Sequence, residues 1–165
     1  MQFVFQRQYR VYFVMDFMPG GELFHYMHNE RRFTQEKVCF YVAQIVLALQ
    51  HLHNSKILYR DLKPENILMG ADGYLKLSDF GLAKQATTSN TFCGTPEYIA
   101  PEVLQNTSHD HTADWWALGI LTYEMLTGVP PFYDKNRNVM FLNIEKAPVR
   151  WPEQQMHGFT INKTA

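Results

Sequence analysis

Asp61, Lys63 and Asn66 fall within six residues of one another, and Asp79 follows thirteen residues after Asn66, directly before Phe80 and Gly81. A carboxylate, an ammonium, an amide and a second carboxylate form a set suited to moving a phosphoryl group. Asp61 can orient a hydroxyl and accept its proton. Lys63 offers a point charge to a phosphate oxygen. The side-chain carbonyl of Asn66 and the carboxylate of Asp79 are hard oxygen donors of the kind Mg²⁺ takes. Phosphoryl transfer depends mainly on positioning and charge stabilisation, so a base, a cation and a pair of metal ligands meet its needs.

Such residues need a frame that gathers them. Residues 67–69 and 74–77 flank Gly70-Ala71-Asp72-Gly73, which reads as a hairpin with a Gly-rich loop. Asn66 stands before its first strand and Asp79 after its second, so antiparallel pairing carries both to the open end. Upstream, the Val, Phe and Tyr content of residues 3–5 and 11–17 favours two strands. Pro19-Gly20-Gly21 closes the second of them and opens a short helix from Glu22 to Met27. Thr34 is the predicted N-cap of a long helix to about Asn54, with Val38, Tyr41, Ile45, Leu49 and Leu52 on one face. A second buried helix is predicted from Asp114 to Thr127, stopped by Gly128 and Pro130-Pro131. The fold class is α+β, with helices dominating.

Composition narrows the class. Apolar residues make up 46% of the 165, which is globular material able to bury a core. A net charge of −1 gives no general attraction to nucleic acid or to anionic membrane. Arg7 and Arg10 interrupt any signal-peptide core, and the longest apolar stretch, Cys39 to Leu49, is too short to span a bilayer. An intracellular location is expected, cytoplasmic with the nucleus also open. Cys39 and Cys93 read as free thiols, Cys39 in the core of the first long helix and Cys93 in a loop. The pairs His25/His28, His51/His53 and His109/His111 have ligand-like spacing, yet no soft or acidic residue converges on them in sequence, so they read as structural. Trp115 and Trp116 read as core anchors.

Three ordered motifs carry a resemblance. Tyr59-Arg60-Asp61-Leu62-Lys63-Pro64-Glu65-Asn66, Asp79-Phe80-Gly81 and Ala100-Pro101-Glu102 resemble the H-R-D-L-x-x-x-N, D-F-G and A-P-E signatures of protein kinases, with Tyr59 in place of His. Together with Thr91-Phe92-Cys93-Gly94-Thr95-Pro96-Glu97-Tyr98 and Asp114-Trp115-Trp116-Ala117-Leu118-Gly119, they resemble the AGC group of serine/threonine kinases, over roughly residues 9–151. The resemblance implies a kinase-like fold: small-lobe strands and hinge at 1–18, a helical large lobe at 19–152, and a divergent tail at 153–165. It implies ATP and Mg²⁺ as cofactors, Asp61 as the catalytic base, Lys63 as the phosphate contact, and Asn66 and Asp79 as metal ligands. Thr95 would bond near Asp61 and help select Ser or Thr acceptors. Met15, Asp16 and Met18 would form the hinge that meets adenine, and Leu68 the pocket floor. Arg60 would face a phosphate placed on Thr91 by an upstream kinase, with Thr87, Thr88 and Ser89 as competing acceptors. Glu22, Glu65 and Glu124 would bind basic residues of a protein substrate. Asp114 would brace the catalytic loop.

The resemblance has gaps. The family's Gly-rich loop, its strand Lys and its helix Glu have no counterpart here, and residues before Met15 include no Gly, Lys or acid. The Arg that pairs with the position of Glu102 is also unmatched. The expectation is a partial serine/threonine kinase domain, with little or no activity as this chain alone. The alternative readings are a non-catalytic binding or scaffold module, and a chain too exposed at its strands to be stable by itself.

Overall fold

The computed structural model describes residues 2–151. The divergent tail expected at 153–165 lies outside these residues, as does Pro152. The chain opens with a hairpin, β1 (Phe3–Arg7) and β2 (Arg10–Val14), registered Phe3 to Val14 and Arg7 to Arg10. β2 ends three residues short of the expected Phe17. Gln2 N–H donates to the Val14 carbonyl at 2.8 Å, the last ladder bond among the described residues. Met15 to Phe17 therefore leave the ladder and lead to β3 (Gly21–Glu22) and α1 (Leu23–Glu30). Gly20 passes so close to β5 (Ile67–Met69) that a Cβ there would sit 2.7 Å from Met69.

α2 (Gln35–Asn54) begins where Thr34 Oγ1 accepts the Lys37 N–H. Its buried face is Val38, Tyr41, Ile45 and Leu49, as the period predicts, with Leu52 half-buried. Cys39 is exposed, which corrects its expected place in the core. At about 100° per residue, the position after Val38 swings off the buried stripe. β4 (Ile57–Leu58) follows, then a single 3₁₀ turn at Pro64–Asn66, and then β5. β5 pairs with β6 (Leu75–Leu77) on one side and β3 on the other; Tyr74, expected in the strand, belongs to the turn. β7 (Lys84–Gln85) pairs back onto β4.

A 3₁₀ turn at Pro96–Tyr98 and the short α3 (Pro101–Leu104) lead into α4 (Thr112–Thr127). α4 starts two residues before Asp114 because Asp110 Oδ1 accepts both the N–H and the hydroxyl of Thr112. It packs on α2 through Ala117, Leu118, Leu121 and Met125, which join the buried face of α2 in one core. Trp115 and Trp116 are half-buried against that core, Trp116 stacked on Phe132 at 5.8 Å. Gly128 ends α4 in the left-handed region at φ 88°, where a Cβ would meet the Arg31 carbonyl at 2.7 Å. α5 (Arg137–Lys146) closes the described chain, burying only Met140 and Ile144. Among the described residues no helix is long and apolar enough to cross a membrane.

Candidate active site

The loop from Tyr59 to Asn66 is fixed from below by α4. Asp114, 2% exposed, accepts the Tyr59 N–H at 3.0 Å and the Arg60 N–H at 2.8 Å. Its Oδ2 also meets His53 Nε2 at 2.8 Å. One buried carboxylate thereby pins two consecutive peptide groups and holds Arg60 at φ 68°. That conformation is uncommon for a side-chain-bearing residue and persists only where the surroundings enforce it. Tyr59 ties the loop upward: its hydroxyl donates to the Ser78 carbonyl, and its ring meets Phe80 edge-on at 5.4 Å. Burial first, then the charges of Asp61, Asp79 and Asp114, holds the Tyr59 phenol well above its usual range.

Asp61 is buried and sits at the centre of a closed set of bonds. Oδ1 accepts the Thr95 hydroxyl at 3.0 Å, while Oδ2 meets Lys63 Nζ at 3.0 Å and the Asn66 amide nitrogen at 2.9 Å. Lys63 Nζ also donates to Thr95 Oγ1 at 3.1 Å. The structure thus brings Asp61, Lys63, Asn66 and Thr95 together, across 34 residues of sequence between Asp61 and Thr95. A second bond from the Asn66 amide nitrogen to the Asp61 carbonyl, at 2.9 Å, orients the amide. Its oxygen is the atom left to face a cation.

The hairpin does what its register demands. Ile67 pairs with Leu77, and the Ser78 N–H and hydroxyl both donate to the Asn66 carbonyl, at 2.8 and 3.0 Å. Asp79 follows immediately, exposed and at φ 50°, with Oδ1 accepting the Gly81 N–H at 3.0 Å. Among the described residues no cluster of three or more His, Cys, Asp or Glu could hold a metal. Asn66 and Asp79 contribute an amide oxygen and a carboxylate, hard donors of the class Mg²⁺ takes when it keeps several waters and binds through one or two protein oxygens plus substrate phosphates.

The remaining expected site residues fall in three places. Met15 and Asp16 are exposed and Met18 is half-buried, while Leu68 on β5 pairs with Glu22 and Lys76. Asp16 accepts from Gln2 at 2.7 Å and lies 3.8 Å from Lys76, so the expected hinge runs beside the hairpin. Glu22 caps α1 in position only, its side chain making no cap hydrogen bond. Glu65 is exposed on the 3₁₀ turn, and Glu124 on α4 accepts the Tyr98 hydroxyl. Burial raises the Glu124 carboxyl above its usual value, the Tyr98 bond lowers it, and the charges of Glu65 and Glu97 raise it further. Those three carboxylates share one neighbourhood, and β3, which carries Glu22, packs against the turn that carries Glu65. Thr91 is exposed; its N–H reaches Ser89 Oγ at 3.3 Å, the same oxygen that Arg60 Nη1 meets at 2.9 Å. Cys93 lines a cavity of about 30 Å³ with Arg60, Asp61 and Thr95.

Sequence reasoning missed Tyr98 and Glu97, and it gave Ser89 only as a competing acceptor. Tyr98 and Glu97 lie inside a motif quoted for its Thr and Pro, so the signal was there. The burial of Ser89 and its bond to Arg60 carry no signal in sequence.

The profile described as "Protein kinase domain" matches residues 1–161. Serine/threonine protein kinase ypkA of Aspergillus fumigatus is 48% identical over 160 residues, covering 94% of this chain and 25% of its own length. Protein kinase 2 of Dictyostelium discoideum is 49% identical over 155 residues, with 92% and 32% covered. Serine/threonine-protein kinase Sgk1 of Homo sapiens is 49% identical over 154 residues, with 91% and 36% covered. The chain therefore spans about a quarter to a third of the length of these curated relatives.

Proposed function

The chain belongs to the protein kinase domain family, and on that premise we propose that it carries the large-lobe side of a serine/threonine phosphoryl-transfer centre. The observation that carries this reading is the closed set of bonds joining Asp61 to Lys63, Asn66 and Thr95. Asp61 accepts the proton of a substrate hydroxyl. Lys63, already 3.0 Å from Asp61, steadies negative charge on the phosphoryl group once a substrate separates them. Thr95 holds Asp61 in place and presents its own hydroxyl beside a small acceptor side chain. Asn66 and Asp79 would hold Mg²⁺, which supplies charge neutralisation on ATP phosphates when bound.

In this reading residues 1–18 are small-lobe strands and hinge, with Met15, Asp16, Met18 and Leu68 against adenine, and the large lobe begins at residue 19. Glu65 and Glu124, with Glu97 beside them, favour substrates with basic residues near the acceptor, since like charge already raises the Glu124 carboxyl. Glu22 extends that acidic surface toward α1. Thr91 is the site of an upstream kinase, and Arg60 its recognition residue. A cytoplasmic or nuclear setting is part of the same reading.

The test is phosphorylation of an Arg-containing Ser peptide by Mg-ATP, using protein that contains this domain, with Asp61→Ala as the comparison. Loss of the general base should lower transfer by about 10²–10⁴-fold while leaving peptide binding intact. Transfer that survives Asp61→Ala sinks the assignment. Peptide binding with no transfer in the unmutated protein assigns the chain to the scaffold alternative.

A further inference from the structure

Arg60 is gripped by more than α4. Its Nε donates to the Leu82 carbonyl at 2.8 Å and its Nη1 to Ser89 Oγ at 2.9 Å. Ser89 is 3% exposed, although Thr87, Thr88, Asn90, Thr91 and Phe92 around it are all exposed. Its backbone is clasped to buried His109 in both directions, N–H to carbonyl at 2.8 and 2.9 Å. Its hydroxyl oxygen accepts twice, from Arg60 and from the Thr91 N–H. A buried oxygen with a guanidinium on one side and a peptide N–H on the other is a neutral acceptor sitting where an anion would be favoured.

We propose that Ser89 is the resident partner of the Arg60 guanidinium in the unmodified chain, fastening the segment around Thr91 to the catalytic loop until a phosphate on Thr91 displaces it. The displacement rests on the proposed reading of Thr91; the pairing in the unmodified chain does not. The Thr91 backbone N–H bonds the shared oxygen while its side chain is exposed, so a phosphate there lies on the residue next to the guanidinium and turns inward to meet it. It would carry about −1.5 to −2 charge and could engage the Arg fork through two oxygens, whereas the Ser hydroxyl offers one neutral oxygen. Phosphate therefore wins the competition. Burial also removes Ser89 from the set of competing acceptors expected from sequence, leaving Thr91 exposed to an incoming enzyme.

The experiment is amide hydrogen exchange over residues 86–92 in the full 165-residue chain. It compares wild type, Ser89→Ala, Arg60→Gln and the double variant, each unmodified and with phosphothreonine installed at Thr91 by semisynthesis. In the unmodified chain Ser89→Ala should speed exchange about tenfold, Arg60→Gln by a similar factor, and the pair by no more than either alone. The Leu121 amide, deep in α4, should stay protected throughout and so reports that the variants fold. With phosphate on Thr91, Ser89→Ala should change exchange by less than about twofold. Unchanged exchange in unmodified Ser89→Ala, or single effects that multiply in the double variant, overturns the proposal. So does a tenfold cost of Ser89→Ala that persists beside the phosphate. A phosphate that leaves wild-type exchange unaltered overturns the reading of Thr91, and the displacement with it.

Discussion

Glu124 holds a carboxyl where charge is disfavoured: burial raises its affinity for a proton, and Glu65 and Glu97 add to the effect against the pull of Tyr98. Because the folded value lies above the unfolded one, the folded chain retains a proton that the unfolded chain has released, so stability falls as pH rises through that window. The Tm advantage of Glu124→Gln over wild type should therefore shrink on acidification from neutrality toward the ordinary glutamate value of 4.5, as read by thermal melts at several pH values. A pH-independent gap would rule the raised carboxyl out. Asp114 accepts from two backbone N–H groups and meets His53 Nε2. Asp114→Asn turns one acceptor into a donor facing donors, and denaturant titration should show a loss of roughly 2–4 kcal/mol. Legibility at this scale follows the origin of each role. Asp61, Asn66 and Asp114 are recognisable because residue type and spacing announce them. Ser89 and Tyr98 act through what covers or meets them, and Cys39 was misplaced because an apolar run does not say which face is buried.

Elements were readable where two signals agreed. α2 combines a cap residue with a sustained apolar period, and both its ends fall where expected. Thr34→Ala removes the cap acceptor and should cost about 1 kcal/mol in urea unfolding. No change in the midpoint would mean that the 3.4 Å bond contributes nothing. α5 shows the converse, since a helix that buries only Met140 and Ile144 leaves no periodic trace. β3, β4 and β7 are two residues long and exist only because a partner strand passes by. β2 ends at Val14, opposite Phe3 of β1, although Met15 to Phe17 extend its β-forming run.

The described residues divide into a packed helical body and an exposed two-stranded ribbon. Every residue from Gln2 to Phe17 is exposed, including Phe3, Phe5, Tyr12 and Phe13 on both faces of the β1–β2 hairpin. Among the described residues the ribbon's ladder is supplemented by stacking of Phe5 on Tyr12 at 4.9 Å and by exposed contacts of Asp16 with Gln2 and Lys76, and two strands alone are marginal in water. Amides of β1 and β2 in this chain should exchange on the order of 10³-fold faster than those of Leu49 and Leu121. Equal protection would show that the ribbon is covered. The sequence pattern gave the ribbon's strands, but nothing in it says whether an apolar face meets a neighbour.

The bonds from Asp114 to Tyr59 and Arg60 close loops of 55 and 54 residues. Chain entropy resists such closures until the contacts around them reward it. In the order of events during folding, α2 can form early from its own cap and period. The loop bearing Asp61 cannot settle until α4 has been made and has docked. Asp61, Lys63, Asn66 and Asp79 are encoded before the chain's midpoint, yet the loop that carries the first three waits on a helix encoded beyond it.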